Sequence, residues 1–146
     1  MVEYNPIGYI RTEYDSTEGI PAQSARSKEK GIVEIRDDLK EGLSDLEGFS
    51  HLLLIYHFHL IQGYSLRDVS SHDNKERGIF ALRTPKRPNP IGISIVKLIS
   101  IDGNKLEFEG VDMLDGTPLL DIKPYIELFD SRAGTSTGWM DSNRWT

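Results

Sequence analysis

The chain has 146 residues, of which 38% are hydrophobic and 27% are charged, and its net charge at pH 7 is −6. This balance excludes a disordered chain and is typical of one folded domain with a core of its own. The sequence contains no cysteine, which excludes disulfides and thiolate metal sites and suits a reducing compartment. It begins with no signal peptide, and its longest apolar run, residues 52–56, is too short to cross a bilayer. We therefore expect a cytoplasmic protein without a membrane segment.

Alternating and apolar segments predict a series of six or seven strands. In chain order they are residues 6–11, 31–35, 49–60, 78–82, 93–101, 105–113 and 119–126. The turn Asp102-Gly103-Asn104 makes a hairpin of the fifth and sixth strands. The third strand is apolar almost throughout, which predicts burial on both faces. Pro124 predicts that the last strand lies at an edge or contains a bulge.

Between the second and third strands the sequence predicts one short helix. Asp37 or Asp38 can cap its start, and it ends near Gly48. Its apolar face would be formed by Leu39, Leu43 and Leu46. A single helix and hairpin connections favour a mainly β fold, an antiparallel barrel with long loops. We expect one barrel domain over residues 1–130 and a C-terminal tail over residues 131–146.

Positive charge is concentrated in residues 75–97. This segment has six Lys or Arg against the single acid Glu76, a net charge of +5 in a chain that is otherwise −11. Three prolines at positions 85, 88 and 90 hold its central loop extended before anything binds. A stiff loop that presents Arg83, Lys86 and Arg87 loses little entropy when it grips an anion. The pattern favours an anion site over a merely solvated basic loop.

Two other groups of side chains can carry chemistry. Asp112, Asp115 and Asp121 surround a turn and could hold ribose hydroxyls or accept a proton, although their spacing alone favours a plain tight turn. His57 and His59 share one face of a strand, as a zinc or iron site requires. No third ligand has convincing spacing, so hydrogen-bonded pocket histidines are favoured over a metal site.

Four segments together resemble the TsaA-like (TrmO) methyltransferases. They are NPIGYIRTEY at 5–14, GFSHLLLIYHFH at 48–59, GIFALRTPKRPNPIGIS at 78–94 and LDGTPLLDIKPYI at 114–126. The resemblance runs in order over about residues 5–127. It implies an antiparallel β-barrel that binds S-adenosylmethionine (SAM) and forms a homodimer with the cofactor near the subunit contact. The implied activity is N6-methylation of threonylcarbamoyladenosine beside the tRNA anticodon.

The resemblance also implies roles for individual residues. Arg83 suits the carboxylate of SAM, and His59 or Asp115 is the candidate proton acceptor, with no metal required. The basic loop would meet tRNA phosphates through Lys86, Arg87 and Asn89. The implied cofactor contacts are Gln23, Ser24, Ala25, Phe58, His59, Arg83, Ile93, Asp112, Leu114, Asp115, Gly116 and Thr117.

The sequence departs from the family in two places. Bacterial members often have Pro-Arg-Gln where this chain has Pro-Ala-Gln at 21–23, and longer members carry a further C-terminal domain. Two alternatives from other classes stay open. One is a noncatalytic barrel that binds SAM, another nucleotide or RNA, and the other is a metal-dependent enzyme that uses His57 and His59.

Overall fold

The computed structural model describes residues 1–14 and 28–141. Its strands are β1 (Gly8–Arg11), β2 (Lys30–Ile35), β3 (His51–His57), β4 (Arg67–Val69), β5 (Glu76–Gly78), β6 (Ile91–Asp102), β7 (Lys105–Glu109) and β8 (Thr117–Pro124). Six of them close into an antiparallel barrel in the order β1, β2, β7, β6, β3, β8, and β4 pairs with β5 in a separate hairpin. The predicted fold class, a mainly β antiparallel barrel, is confirmed.

Alternation along each strand fills the barrel interior. The side chains with almost no exposed surface there are Ile10, Val33, Leu52, Leu54, Val96, Leu106, Phe108 and Leu119. In β3 the buried positions alternate with half-buried ones, so the expectation of two buried faces is wrong. Only one face of a barrel strand meets the core, and the other lies under loops or at the surface.

The predicted hairpin is confirmed as β6 and β7. Gly103 takes a positive φ of 62° at the turn, a conformation that glycine adopts without steric cost. The side-chain amide of Asn104 donates to the carbonyl of Ile35 at 2.8 Å and ties the turn to the end of β2. The hairpin therefore fixes the register of β6, whose opposite end reaches the functional region described below.

The predicted short helix is present, but it is a 3-10 helix and it ends before Gly48. Residues Asp37–Leu43 form a 3-10 helix, and the residue that precedes it, Arg36, makes no side-chain capping bond. Leu43 is buried but Leu39 is 37% exposed, so the apolar face is too narrow to hold a full α-helix on the barrel. The one α-helix among the described residues, α1 (Glu127–Asp130), follows β8. None of the helices in the described ranges is long and apolar enough to cross a membrane.

The predicted strand at 78–82 is also wrong. Only Gly78 belongs to a strand, β5, and a 3-10 turn at Ile79–Ala81 follows it. Ile79 and Leu82 are buried, and this spacing of three suits a helical turn rather than a strand. The turn delivers the chain to the basic loop with both apolar side chains as anchors.

Pro124 occupies the last position of β8, where it pairs with Leu52. Among the described residues, strand β8 pairs with β1 only over residues 117–119, so at Pro124 its one paired neighbour is β3, and the predicted edge position is confirmed there. The irregularity in the pairing of β3 with β8 lies between Ile55 and Tyr56. The predicted bulge therefore belongs to this strand pair but is displaced from the proline.

Candidate functional site

A cavity of about 330 Å³ opens where the start of β6 meets the basic loop. Strand β3 and its continuation supply two aromatic rings, the loop supplies cations, and the segment after β7 supplies a carboxylate. The lining residues are Tyr56, Phe58, Arg83, Pro85, Arg87, Ile91, Gly92, Ile93 and Asp112. Apolar walls with a few charged groups are typical of small-molecule sites.

A chain of buried hydrogen bonds runs from the core to this cavity. The Tyr56 hydroxyl lies 2.8 Å from Ser94 Oγ, and the Ser94 hydroxyl donates to Asp112 Oδ1 at 2.7 Å. Burial raises the pKa of Tyr56, the nearby Asp112 carboxylate raises it further, and the Ser94 bond opposes both. Tyr56 therefore stays a neutral phenol, and Ser94 holds the Asp112 carboxyl group in the cavity wall.

Gly92 leaves room for the two aromatic rings. A Cβ at this position would lie 2.5 Å from Tyr56 Cε2 and 2.8 Å from Phe58 Cζ, closer than real Cβ contacts. The rings of Tyr56 and Phe58 meet edge to face with their centroids 5.6 Å apart, a favourable aromatic geometry. A glycine is thus required for this wall to pack as it does.

The basic loop is braced by one of its own cations. Arg87 Nη1 donates to the carbonyls of Leu82 and Thr84 at 2.8 and 3.0 Å. Its guanidinium therefore folds back toward the root of the loop, while Lys86 is exposed at the tip. Within the described residues, the buried hydroxyl oxygen of Thr84 has no hydrogen-bond partner. The Arg87 bonds thus hold the backbone at the root of the loop in one conformation.

The loop before β8 is tied to the end of β1. The Asp115 carboxylate accepts a bond from the backbone N–H of Thr12 at 3.1 Å, and Gly116 takes a positive φ of 79°. The Thr117 hydroxyl donates to the carbonyl of Leu114 at 2.6 Å. These contacts hold the aspartate-glycine turn in one conformation before any ligand arrives.

His59 lies beside this turn. Its Nε2 is 3.9 Å from where a Cβ on Gly116 would stand. Burial lowers the pKa of His59, the neighbouring His57 lowers it further, and the Asp115 carboxylate opposes both. A lowered pKa keeps the imidazole neutral near pH 7, and only the neutral ring can accept a proton.

The structure brings most of the predicted residues to one end of the barrel. Phe58, Arg83, Ile93 and Asp112 line the cavity. His59, a further predicted cofactor contact, lies beside the aspartate-glycine turn. That turn contains four more of the predicted contacts, Leu114, Asp115, Gly116 and Thr117. The other predicted contacts, Gln23, Ser24 and Ala25, fall outside the described residues.

Sequence reasoning missed Tyr56, Ser94, Ile91, Gly92 and Pro85. Tyr56 and Ser94 could have been identified from the sequence, because each lies at an inward position of an alternating strand and carries a polar group. A polar atom at a core position needs a partner. That partner, Asp112, was predicted on other grounds.

A second cavity, of about 340 Å³, lies on the outer surface of the barrel. It is lined by Tyr4, Pro6, His57, Asn89, Pro90, Ile91, Pro118 and Leu120. Asn89, one of the predicted RNA contacts, and Ile91 place this cavity next to the first. In the described ranges, no group of three or more His, Cys, Asp or Glu residues could hold a metal ion.

Comparisons with known proteins agree on one family. Residues 9–131 match the family model of the tRNA-methyltransferase O N-terminal domain. A probable S-adenosyl-L-methionine-binding protein of Pyrococcus abyssi is 45% identical over 144 residues, which are 98% of this chain and 78% of that protein. The tRNA (adenine(37)-N6)-methyltransferase of Mus musculus is 36% identical over 134 residues, which are 86% of this chain.

Solved structures show the same fold. The crystal structure of TrmO from Pseudomonas aeruginosa superposes with a TM-score of 0.82 at 36% sequence identity, covering 97% of this chain. The present chain spans 64% of that structure and 31% of the mouse enzyme.

Proposed function

Because the chain belongs to the tRNA-methyltransferase O family, we propose that it is a SAM-dependent methyltransferase that modifies N6 of an adenosine in tRNA. The substrate is threonylcarbamoyladenosine, the modified base beside the anticodon. One observation carries the proposal: Phe58, the basic loop and Asp112, which are distant in sequence, meet at one end of the barrel around a cavity of small-molecule size. The names of relatives that bind SAM or methylate tRNA adenosine support it.

The cavity fits the chemistry of SAM group by group. Arg83 offers a guanidinium to the carboxylate of the amino acid part. Asp112, which Ser94 holds in the cavity wall, and Asp115, in the turn that follows, are the proposed acceptors for the ribose hydroxyls. Gln23, Ser24 and Ala25 stay predicted cofactor contacts.

The cofactor supplies an activated methyl group, so the protein's main task is to align it with the attacking nitrogen. The imidazole of His59, whose lowered pKa keeps it neutral near pH 7, is the first candidate for the proton acceptor, and Asp115 is the second. A carbonyl beside the target nitrogen lowers its basicity, so an acceptor assists the attack. This displacement needs no metal ion.

The tRNA docks on the basic loop. Lys86 lies exposed at its tip, and Asn89 lines the second cavity, next to the first. Arg87 contributes in a second way, since its guanidinium fixes the loop backbone. Phosphate contacts of this kind set the register of an RNA without reading its sequence.

The protein acts as a homodimer in the cytoplasm, where its tRNA substrate is found. The outward side chains of β6 support the dimer: Ile91, Ile93, Ile95 and Ile99 are 38–54% exposed. Such a row of large apolar side chains on one strand is a natural subunit contact. Light scattering that gives the 16.5 kDa monomer at all concentrations would contradict this part of the proposal.

Mass spectrometry of tRNA nucleosides tests the proposed reaction. The protein, SAM and tRNA that carries threonylcarbamoyladenosine should give a product heavier by one methyl group, with or without a chelator. Asp112→Asn should abolish or strongly reduce the product, because it removes the carboxyl group that Ser94 holds in the cavity wall. Asp121→Asn is the matched control, since that carboxylate pairs with Lys123 outside the cavity.

A noncatalytic SAM-binding barrel is the second candidate, because several relatives are named only for SAM binding. Calorimetric titration separates the two functions. Micromolar SAM binding without any methylated nucleoside would favour the noncatalytic barrel. No heat at millimolar SAM with folded protein would overturn both.

A further inference from the structure

The C-terminal segment folds back onto the excursion between β3 and β6. Trp139 lies in a 3-10 turn, Gly138–Met140, and its indole N–H donates to the carbonyl of Ala81 at 2.7 Å, 58 residues away in sequence. Trp139 lies beyond the residues that the family model matches, 9–131, whereas Ala81 lies within them. It joins the tail to the segment that carries the basic loop.

A rigid platform holds the indole in place. The guanidinium of Arg77 lies 3.9 Å from the centre of the Trp139 ring, which is a close cation–π contact. Arg77 in turn donates two bonds to the carboxylate of Asp73, at 2.8 and 2.6 Å. Those bonds hold the pKa of Asp73 well below its ordinary value, so the pair stays ionised at every working pH. The indole therefore rests on a bidentate ion pair that is largely shielded from solvent.

The bonded carbonyl lies two residues before Arg83. Ala81 ends the Ile79–Ala81 turn, and its carbonyl is fixed by the indole. On the other side, Arg87 holds the carbonyls of Leu82 and Thr84. The backbone that carries Arg83 is thus clamped from both sides. A guanidinium that must meet a carboxylate in one geometry gains from such support.

We propose that Trp139 is a positioning residue: from its platform on Arg77 it holds the Ala81 carbonyl and so aims the Arg83 guanidinium into the cavity. The inference rests on the proposed SAM site, and it adds a residue of the tail to the machinery of that site. The tail then belongs functionally to the barrel.

The first test measures SAM affinity by calorimetry for one variant in the tail and one control variant in α1. Trp139→Phe keeps an aromatic ring over Arg77 and loses only the N–H donor. It should raise the Kd for SAM severalfold, because the Ala81 carbonyl and with it the Arg83 guanidinium lose their fixed position, and it should lower the melting temperature by a few degrees, the loss of stability expected for one neutral hydrogen bond. Leu128→Ala, in α1 just before the tail, is the control, because this side chain is 83% exposed, and it should leave the Kd unchanged.

A double-mutant cycle then asks whether Trp139 acts through Arg83. In an Arg83→Ala background the Trp139→Phe effect on the Kd should disappear, because no guanidinium is left to aim. The same fold-change in both backgrounds, or no change in either, overturns the inference.

Hydrogen–deuterium exchange tests the clamp without any ligand. Trp139→Phe should speed exchange in residues 81–84 and leave the β6–β7 hairpin unchanged. Unchanged exchange in residues 81–84 overturns the clamp. Faster exchange in those residues combined with a wild-type chain that binds no SAM would support the clamp and reject the proposed function.

Discussion

The two sides of the barrel interior differ in what they bury. Where β2 meets β7, the inward side chains Val33, Leu106 and Phe108 are apolar and fully enclosed. Where β3 meets β6, Tyr56 and Ser94 are equally inaccessible, at 4% exposure each, yet both carry hydroxyls. Burying a hydroxyl costs free energy unless it is bonded. The two buried hydroxyls are tolerated because both are hydrogen-bonded. The same bonds connect the core to Asp112 in the cavity wall.

This difference separates stability from function inside one small core. The apolar side holds the barrel together through dispersion and the hydrophobic effect, without specific partners. The polar side specifies the position of one carboxylate. Mutations on the two sides should therefore change different observables, and the following predictions use that contrast.

The largest expected effect is on the apolar side. Phe108→Ala removes a fully buried ring between β2 and β6 and should lower the free energy of unfolding by about 3–5 kcal/mol. Urea denaturation followed by circular dichroism measures it. At a temperature where the variant is still folded, its affinity for SAM should match wild type. A large loss of SAM affinity in the folded variant would show that the two sides are not separate.

A smaller effect is expected on the polar side. Ser94→Ala breaks both bonds of the chain and leaves Tyr56 and Asp112 without their shared partner, at a cost of about 1–3 kcal/mol in stability. It should also weaken SAM binding, because Asp112 loses its support. Tyr56→Phe is the matched variant, since it removes one hydroxyl and keeps the Ser94–Asp112 bond, so SAM affinity should stay close to wild type. Equal losses of SAM affinity in both variants would contradict the assigned role of Asp112.

The alternation that predicts the fold also explains what could be predicted of the site. Strands β1, β2 and the β6–β7 hairpin follow from local pattern alone, because one buried face imposes a period of two. The position of Tyr56 beside Gly92 does not, since it depends on the pairing of β3 with β6, which no local pattern encodes. The brace of Arg87 on the carbonyls of Leu82 and Thr84 depends likewise on folded geometry.

The family resemblance predicted which distant segments form one site, which the local sequence pattern cannot do. It groups the basic loop with the aspartate-glycine turn near residue 115, and the fold brings both to the same end of the barrel. The strand prediction at 78–82 failed because the four consecutive apolar residues at 79–82 suit a turn as well as a strand. Burial of Ile79 and Leu82 with Phe80 exposed decides between them, and burial cannot be read from a single sequence.

The pH dependence of methyl transfer sharpens the comparison at the mouth of the cavity. The pKa of His59 is lowered by burial and by His57, so the neutral form should persist below the ordinary histidine value. Activity should be present at pH 7 and fall only as the pH drops below about 6.5. The Asp115 carboxylate raises this pKa, so Asp115→Asn should move the acid limb to still lower pH. Rates measured from pH 5 to 8 check both statements.

The same titration affects stability, and its sign follows from linkage. A histidine with a lowered pKa in the fold binds fewer protons than the unfolded chain. Its contribution is therefore fully present above the unfolded pKa near 6.5 and is lost as the pH falls toward the folded value. The rate profile supplies the control. If the fall in methyl-transfer rate at low pH stays at the same pH in His59→Gln, the proton acceptor is another group.

The smallest expected effect lies farthest from the core, at the tip of the basic loop. Lys86 is exposed and Arg87 is bonded to its own backbone, so the two cations should respond differently. Lys86→Ala should leave SAM affinity unchanged. It should make the slope of log affinity for tRNA against log salt concentration shallower by about 0.7–0.9, the value for one lost phosphate contact. Arg87→Ala should weaken both ligands, because it also releases the carbonyls beside Arg83. Titrations with SAM and with tRNA at several salt concentrations measure this contrast. If Lys86→Ala weakens SAM while Arg87→Ala does not, the tip rather than the braced root of the loop forms the cavity wall.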